Sequence, residues 1–331
     1  MLGIEYTAVY SKVKSWMSKM IKEEEISQLM RKDLQDILNL LKERTKKIEI
    51  NTDDIIQIEG LLKQESYNYL MSGIRFLSGK AKAFIQEWSR YYEIENLKII
   101  TRSLLNHKNI DFLYELSTKS KIRMELVKDL RNLDEFQDFL SGPIYYRLAV
   151  DSLPRVKEES RTFYFEMNLD NFFAMNINKK LSGLSVTDKK DVKDILLYYL
   201  QMKRLKWIYR AKFSYKLTAV DILSMIPNVF SYLNDKEYET LAQAENEAVF
   251  ITFLKEHRFI ISEKGAEANL EKEINIKTYQ RVKKALCGTP FRLGVFTGFI
   301  IAQTFNVRKM IALLESRRLK VDPGKVSETI Y

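Results

Sequence analysis

Two histidines, one cysteine and scattered acidic clusters are the groups of this 331-residue chain that could do chemistry. Metal binding needs imidazoles or thiolates at ligand spacing, as in HExxH, but His107 and His257 each stand alone among charged helical neighbours. They read as surface or loop histidines. Cys287 has no nearby histidine to activate it and reads as a buried structural thiol. A single cysteine also excludes a disulfide framework and suits a reducing, intracellular compartment. A phosphate cradle would need GxxxxGK(S/T) or GxGxxG, and neither occurs; Gly294 and Gly298 lie in an apolar helical run, where glycine permits close helix packing. No GxSxG elbow is present, and Glu23-Glu24-Glu25 has the character of an exposed helix turn. The expectation is a protein without catalytic, cofactor-binding or metal-binding residues, and therefore not an enzyme.

Binding chemistry is a different matter. Lys and Arg exceed Asp and Glu by 54 to 44, a net charge of +10 that could favour acidic proteins, nucleic acid or an anionic membrane surface. In sequence the excess is spread out: Lys46-Lys47, Lys189-Lys190 and Lys283-Lys284 stand among other residue types with no long basic block, as on a solvated helical surface. The aromatic group Phe163-Tyr164-Phe165 with Phe172-Phe173 could stack bases, but Met167, Leu169 and Met175 beside it favour core packing. Trp207 and Tyr209 spread large groups around one helix, so one of them is expected at an interface. No zinc-finger, RRM or basic-zipper signature accompanies the charge. A basic helical scaffold that binds nucleic acid or an acidic protein stands as the alternative reading.

The elements that position these groups are helical. Only 11 Gly and 5 Pro against long runs of Leu, Ile, Lys and Glu predict an all-α fold. Apolar spacing predicts helices over Tyr6 to Ile21, Ser27 to Glu43 and Thr52 to Trp88, the last with a start signal at Asn51 to Asp54 and an interruption near Ser78-Gly79. Breaks are expected at Gly142-Pro143, Leu153-Pro154, Asn176 to Lys190, Pro227 and Gly288-Thr289-Pro290, with Thr289 as a candidate cap. The uncharged run from Leu293 to Val307 is shorter than the roughly 20 residues a membrane span needs and reads as a buried helix. Met1 to Tyr10 lacks the pattern of a secretory signal.

One pattern recurs. Aligning Asn96, Arg204 and Lys309, at offsets of 108 and 105 residues, superimposes three apolar stripes: Trp88, Tyr92, Ile94, Leu97 and Ile100; Leu196, Leu200, Met202, Leu205 and Ile208; Ile301, Phe305, Val307, Met310 and Leu313. After each comes a helix-start signal, at Asn109, at Thr218 with Asp221, and at Asp322 before Pro323. Three helical units are expected, 1–110, 111–218 and 219–331, packed as one body.

At Glu95 to Arg102, at Leu205 to Lys212 with Leu217 to Pro227, and at Pro290-Phe291 through Met310, the chain resembles the C subunits of the bacterial and archaeal V/A-type rotary ATPases, counterparts of the eukaryotic d subunit. That family carries an Asn-Leu-x-x-Ile/Leu-x-x-Arg element in each of three related subdomains. Here the signature residues are Asn96, Leu97 and Arg102; Leu205, Trp207 and Arg210; and Val307 and Met310, with Arg204 and Lys309 in place of the usual Asn and Glu315 in place of an Arg. The resemblance implies a funnel-like, pseudo-threefold component of the central stalk. It would sit at the cytoplasmic face of the membrane, between the rotor shaft made by the D and F subunits and the proteolipid ring. It would transmit torque for ATP-coupled proton or sodium transport without touching ATP or the ion, and without entering the bilayer. No cofactor, metal or nucleic acid is implied. Arg102, Arg210 and Lys212 are expected in the shaft-facing cavity, and Trp88, Leu97, Leu205, Ile208, Met310 and Leu313 in the core.

Overall fold

The structure is a computed structural model that describes residues 2–44, 54–117, 122, 124–142, 144–226, 229, 231–260 and 267–321. Among these the protein is all-α, with helices α1 (Leu2–Met17), α2 (Glu23–Leu29), α3 (Leu34–Arg44), α4 (Ile55–Ile74), α5 (Gly79–Asn106), α6 (Leu133–Phe139), α7 (Tyr146–Glu159), α8 (Phe163–Leu181), α9 (Val186–Tyr209), α10 (Ala219–Ser224), α11 (Asp235–Gln243), α12 (Glu247–Glu256), α13 (Glu267–Leu286) and α14 (Leu293–Arg318). A π-turn, Arg210–Ser214, follows α9 directly.

Three hairpins of long helices, α4–α5, α8–α9 and α13–α14, organise the chain, and the second helix of each carries one signature. Their packing runs from α4 through α5, α8, α9, α13 and α14 and returns to α4, a closed circuit of helices. All fifteen stripe positions of α5, α9 and α14 are buried in the core. Each signature helix also ends alike: His107, Lys216 and Lys320 adopt left-handed backbone at φ 51°, 54° and 52°, at eleven, twelve and eleven residues past Asn96, Arg204 and Lys309.

The hairpin turns share one end of the circuit. A Cβ built on Gly183, between α8 and α9, would lie 3.9 Å from the Lys80 side chain at the start of α5. The first amide of α14, Leu293 N–H, donates to Asp188 Oδ1 near the start of α9 at 3.0 Å. Where α4 ends against α14, a Cβ on Gly73 would sit 2.1 Å from the Phe296 ring, so only glycine lets these two helices approach this closely. Gly298 also brings α14 close to α13, less tightly, with Ala285 Cβ 3.1 Å from where its own would be. Helix α1 lies across the junction: Tyr6 O–H donates to Asp188 at 2.8 Å, Lys14 Nζ to the Leu286 carbonyl at 3.0 Å, and Trp16 packs on both Tyr69 of α4 and Phe299 of α14.

Several local expectations are corrected. Asn109 starts no helix. The apolar residues Ile110, Phe112, Tyr114 and Leu116 alternate, and the segment forms no helix, three of its amides being taken by side chains: Tyr114 N–H by Asn96 Oδ1 (2.7 Å), Glu115 N–H by Gln64 (2.9 Å) and Ser117 N–H by Tyr67 (2.7 Å). Helix α7 runs through Pro154, because burial of Ala149, Leu153 and Val156 offsets the one hydrogen bond proline removes. The stretch predicted as one helix over Ser27 to Glu43 breaks between α2 and α3, where Asp33 Oδ1 accepts from Asp36 N–H at 2.8 Å. The break predicted over Asn176 to Lys190 narrows to 182–185. Thr289 caps nothing, since α14 begins at Leu293. Cys287 is exposed, because it falls in the turn after α13 and off the face that packs Val282 and Leu286. Met175 faces outward while the neighbouring Phe163, Tyr164, Phe165 and Phe173 are buried. Thr218 does cap α10, its hydroxyl accepting from Asp221 N–H at 3.1 Å. Asn51 to Asp53, Pro143, Pro227, Asp322 and Pro323 lie outside the described residues.

Candidate functional site

Inside the circuit of helices is a polar cavity of about 210 Å³, walled by α5, α8, α9, α13 and α14. Its charged lining comprises six cations, Lys98, Arg102, Lys203, Lys206, Arg210 and Arg308, and four carboxylates, Glu95, Glu166, Asp170 and Glu271. At 1.5 Å of rise per residue these groups lie roughly 15–35 Å along their helices from the hairpin turns. The cavity therefore belongs to the end away from the turns.

The centre of the wall is Asp170. Lys98 Nζ donates to Asp170 Oδ1 at 2.7 Å and to Glu95 at 3.0 Å, Lys203 approaches Asp170 Oδ1 at 3.5 Å, and the Trp207 indole N–H reaches Asp170 Oδ2 at 3.3 Å. Burial works against the charge on Lys98, but Asp170 and Glu95 outweigh it and hold its pKa above the ordinary lysine range. Burial likewise disfavours the Asp170 carboxylate, yet Lys203 and Lys98 bring its pKa below the usual value. Both groups are thus charged at neutral pH. Nearer the α13 side, Lys206 donates to Glu271 at 2.7 Å and to Asn275 Oδ1 at 3.0 Å. Burial lowers the pKa of Lys206 against the pull of Glu271. Nearer the α8 start, Arg102 Nε donates to Glu166 at 2.6 Å, a carboxylate that also accepts from the Thr162 hydroxyl at 2.6 Å. The Arg102 side chain remains 53% exposed, so its guanidinium is held in place while facing solvent.

The register that aligns the three signatures also aligns this wall. One residue before the reference positions stand Glu95, Lys203 and Arg308; two after, Lys98 and Lys206; five before, Tyr91 and Tyr199; six after, Arg102 and Arg210. The reference residues themselves are not part of the cavity lining, and Asn96 and Arg204 hold outer segments. Asn96 Nδ2 donates to the Tyr114 carbonyl at 2.9 Å, and Arg204 reaches the Val229 carbonyl at 2.6 Å and Tyr238 O–H at 2.8 Å. Lys309 lies over the Tyr279 ring at 4.4 Å. Arginine in the second unit thus performs the carbonyl-holding contact that asparagine makes in the first.

A family model described as ATP synthase (C/AC39) subunit matches residues 9–329. The chain belongs to this family. It is similar to the A-type ATP synthase C subunit of Methanocaldococcus jannaschii, 18% identical over 341 residues that cover 97% of this chain and 85% of that one. In this C/AC39 subunit, the predicted signature residues Leu97, Leu205, Val307 and Met310 are buried, as are Trp88, Ile208 and Leu313. Arg102 and Arg210 line the cavity; Lys212, half-buried on the π-turn, is not part of its wall. Of the two aromatics in question Trp207 lines the cavity, and Tyr209 is buried against Phe213 and Phe250. Sequence reasoning missed Glu95, Lys98, Asp170, Lys203, Lys206 and Arg308. Applying the signature register to charged residues as well as apolar ones would have found Glu95, Lys203 and Arg308 at one step and Lys98 with Lys206 at another.

Proposed function

We propose that this protein is the non-catalytic coupling element of a V/A-type rotary ATPase, receiving the end of the D–F shaft at the mouth of the polar cavity and meeting the proteolipid ring with the opposite end. The observation that carries the reading is the cavity wall, to which all three signature helices contribute charged residues in one register. A socket of this kind grips a protein end by many charge pairs, which set orientation and specificity more than raw affinity. A closed circuit of packed helices resists twisting because its core is dense and its hairpin loops are short. The units 1–110, 111–218 and 219–331 then correspond to three quasi-equivalent sectors around the socket. On this reading the protein is a peripheral component and faces the cytoplasm. Among the described residues no helix is long and apolar enough to cross a membrane.

The test is ATP-driven ion transport by the assembled membrane complex carrying Arg210→Glu in this chain. The expected result is ATP hydrolysis that continues while ion transport falls, with the shaft lost on washing. Full coupling in a complex lacking this protein, with shaft and ring still joined, overturns the reading.

A further inference from the structure

We propose that the hairpin-turn end of this protein binds the headgroups of anionic phospholipids. The basic excess that looks dispersed in the sequence is gathered there by the fold. Segments 72–83, 176–194 and 280–293, which contain the three turns, hold twelve Lys and Arg against three Asp and no Glu, a surplus of nine in a chain whose whole surplus is ten. The three carboxylates are turned inward or paired. Asp188 is buried and accepts from Tyr6, Ser185 and Leu293; Asp191 meets Arg292 at 3.0 Å; Asp194 meets Arg281 at 2.8 Å. What faces outward is mainly lysine.

Two apolar side chains project from the same end. Val186 is 86% exposed and Phe291 60% exposed. Each stands two residues before a member of the Asp188–Leu293 hydrogen bond, so they flank one junction. Beside them a groove of about 630 Å³ is lined by Lys190, Lys193 and Lys284. Lysine is a hydrated point charge on a flexible apolar stem, suited to a diffuse layer of headgroups, and a projecting phenyl ring suits the boundary below it. Nucleic acid would call for stacking aromatics along a groove, and an acidic protein patch would leave the valine and phenylalanine without apolar partners. On the rotor reading this same end meets the proteolipid ring, so the headgroups would be those beside the ring; the inference itself rests on charge and exposed apolar groups and does not require that reading.

The experiment is sedimentation of the full chain with vesicles of phosphatidylcholine alone or with phosphatidylglycerol added. Binding is expected only with the anionic lipid and should weaken with salt. Each lysine removed from the surface is worth roughly fivefold in binding, so K189Q/K190Q/K284Q should weaken it about a hundredfold. The triple K108Q/K216Q/K320Q removes equal charge just past the opposite ends of the signature helices and should leave binding unchanged. F291S should remove the part of binding that survives high salt. Circular dichroism melting establishes that each variant folds. Equal binding to neutral vesicles, or equal loss from the two lysine triples, overturns the proposal. So does absence of vesicle binding by a protein that still joins the complex, which assigns the charge to a protein partner and leaves the coupling role intact.

Discussion

Asp170→Asn tests the cavity wall most directly, since it keeps the side-chain shape and removes one charge. Lys98, whose side chain is 5% exposed, then retains Glu95 at 3.0 Å as its remaining carboxylate. Removing one member of a buried ion pair costs about 3–5 kcal/mol, chiefly because the other charge is left desolvated. The surviving Glu95 contact places the expectation at the lower end, about 3 kcal/mol. With an unfolding entropy of roughly 2 cal/mol/K per residue, a chain of 331 residues should lose about 4 °C in Tm. Urea unfolding followed by tryptophan fluorescence measures the same difference, with Trp207, a hydrogen-bond partner of Asp170, as a local reporter. The double replacement K98M/D170L removes both charges and should recover to within about 1 kcal/mol of wild type. The pH dependence has a definite sign. The folded pKa of Asp170 lies below its unfolded value of about 3.9, so its stabilisation is present above that value and is lost as pH falls through the folded pKa. The difference between wild type and D170N should accordingly close in acid. A D170N variant within about 1 kcal/mol of wild type at neutral pH, or a double variant no better than the single, refutes the argument.

Three further outcomes are expected. Asn96→Ala should cost about 2–3 kcal/mol by leaving the Tyr114 amide and carbonyl without their partner, and hydrogen exchange should accelerate first over 110–117. Gly73→Ala should cost about 2 kcal/mol or more by driving a methyl into the buried Phe296 ring, with partial recovery in G73A/F296L measured by thermal melting. Glu59 has a pKa raised by burial and by Glu315, against the pull of Lys63. Its contribution is therefore full below the unfolded value of about 4.3 and is lost as pH rises through the folded pKa. Glu59→Gln should raise Tm at neutral pH and leave it unchanged in acid; a variant less stable at neutral pH would contradict this.

The long signature helices were legible because their apolar stripes repeat over many turns, and burial of Trp88, Leu97, Leu205 and Leu313 follows from that periodicity. Segment 108–117 was misread for a different reason. Asn109 looks like a cap, yet the partners that hold this irregular segment in place, Gln64, Tyr67 and Asn96, come from two helices earlier in the chain. Pro154 was read by local propensity, which packing overrode. The cavity was half visible. Arg102 and Arg210 belong to the signature, whereas a lone Lys98 or Asp170 in sequence looks like any solvated charge, and only the meeting of α5, α8 and α9 gives each its partner. The clustering of lysines at the turns escaped notice for the same reason, being distributed over three segments about 100 residues apart.

Of the six contacts in the circuit of helices, three are backed by a short hairpin turn and two, α5 with α8 and α9 with α13, by a longer run of chain that holds other helices. The contact of α14 with α4 is backed by neither; it is a seam closed by packing alone, with Phe296 seated against Gly73. A shear applied around the circuit would open there first. Helix α1 lies over that place and touches residues on α4, α9, α13 and α14, so it acts as a rivet plate over a split hoop. Removing it should leave each hairpin intact while the molecule loses its resistance to being prised open, a failure visible in single-molecule pulling before any change in helical content.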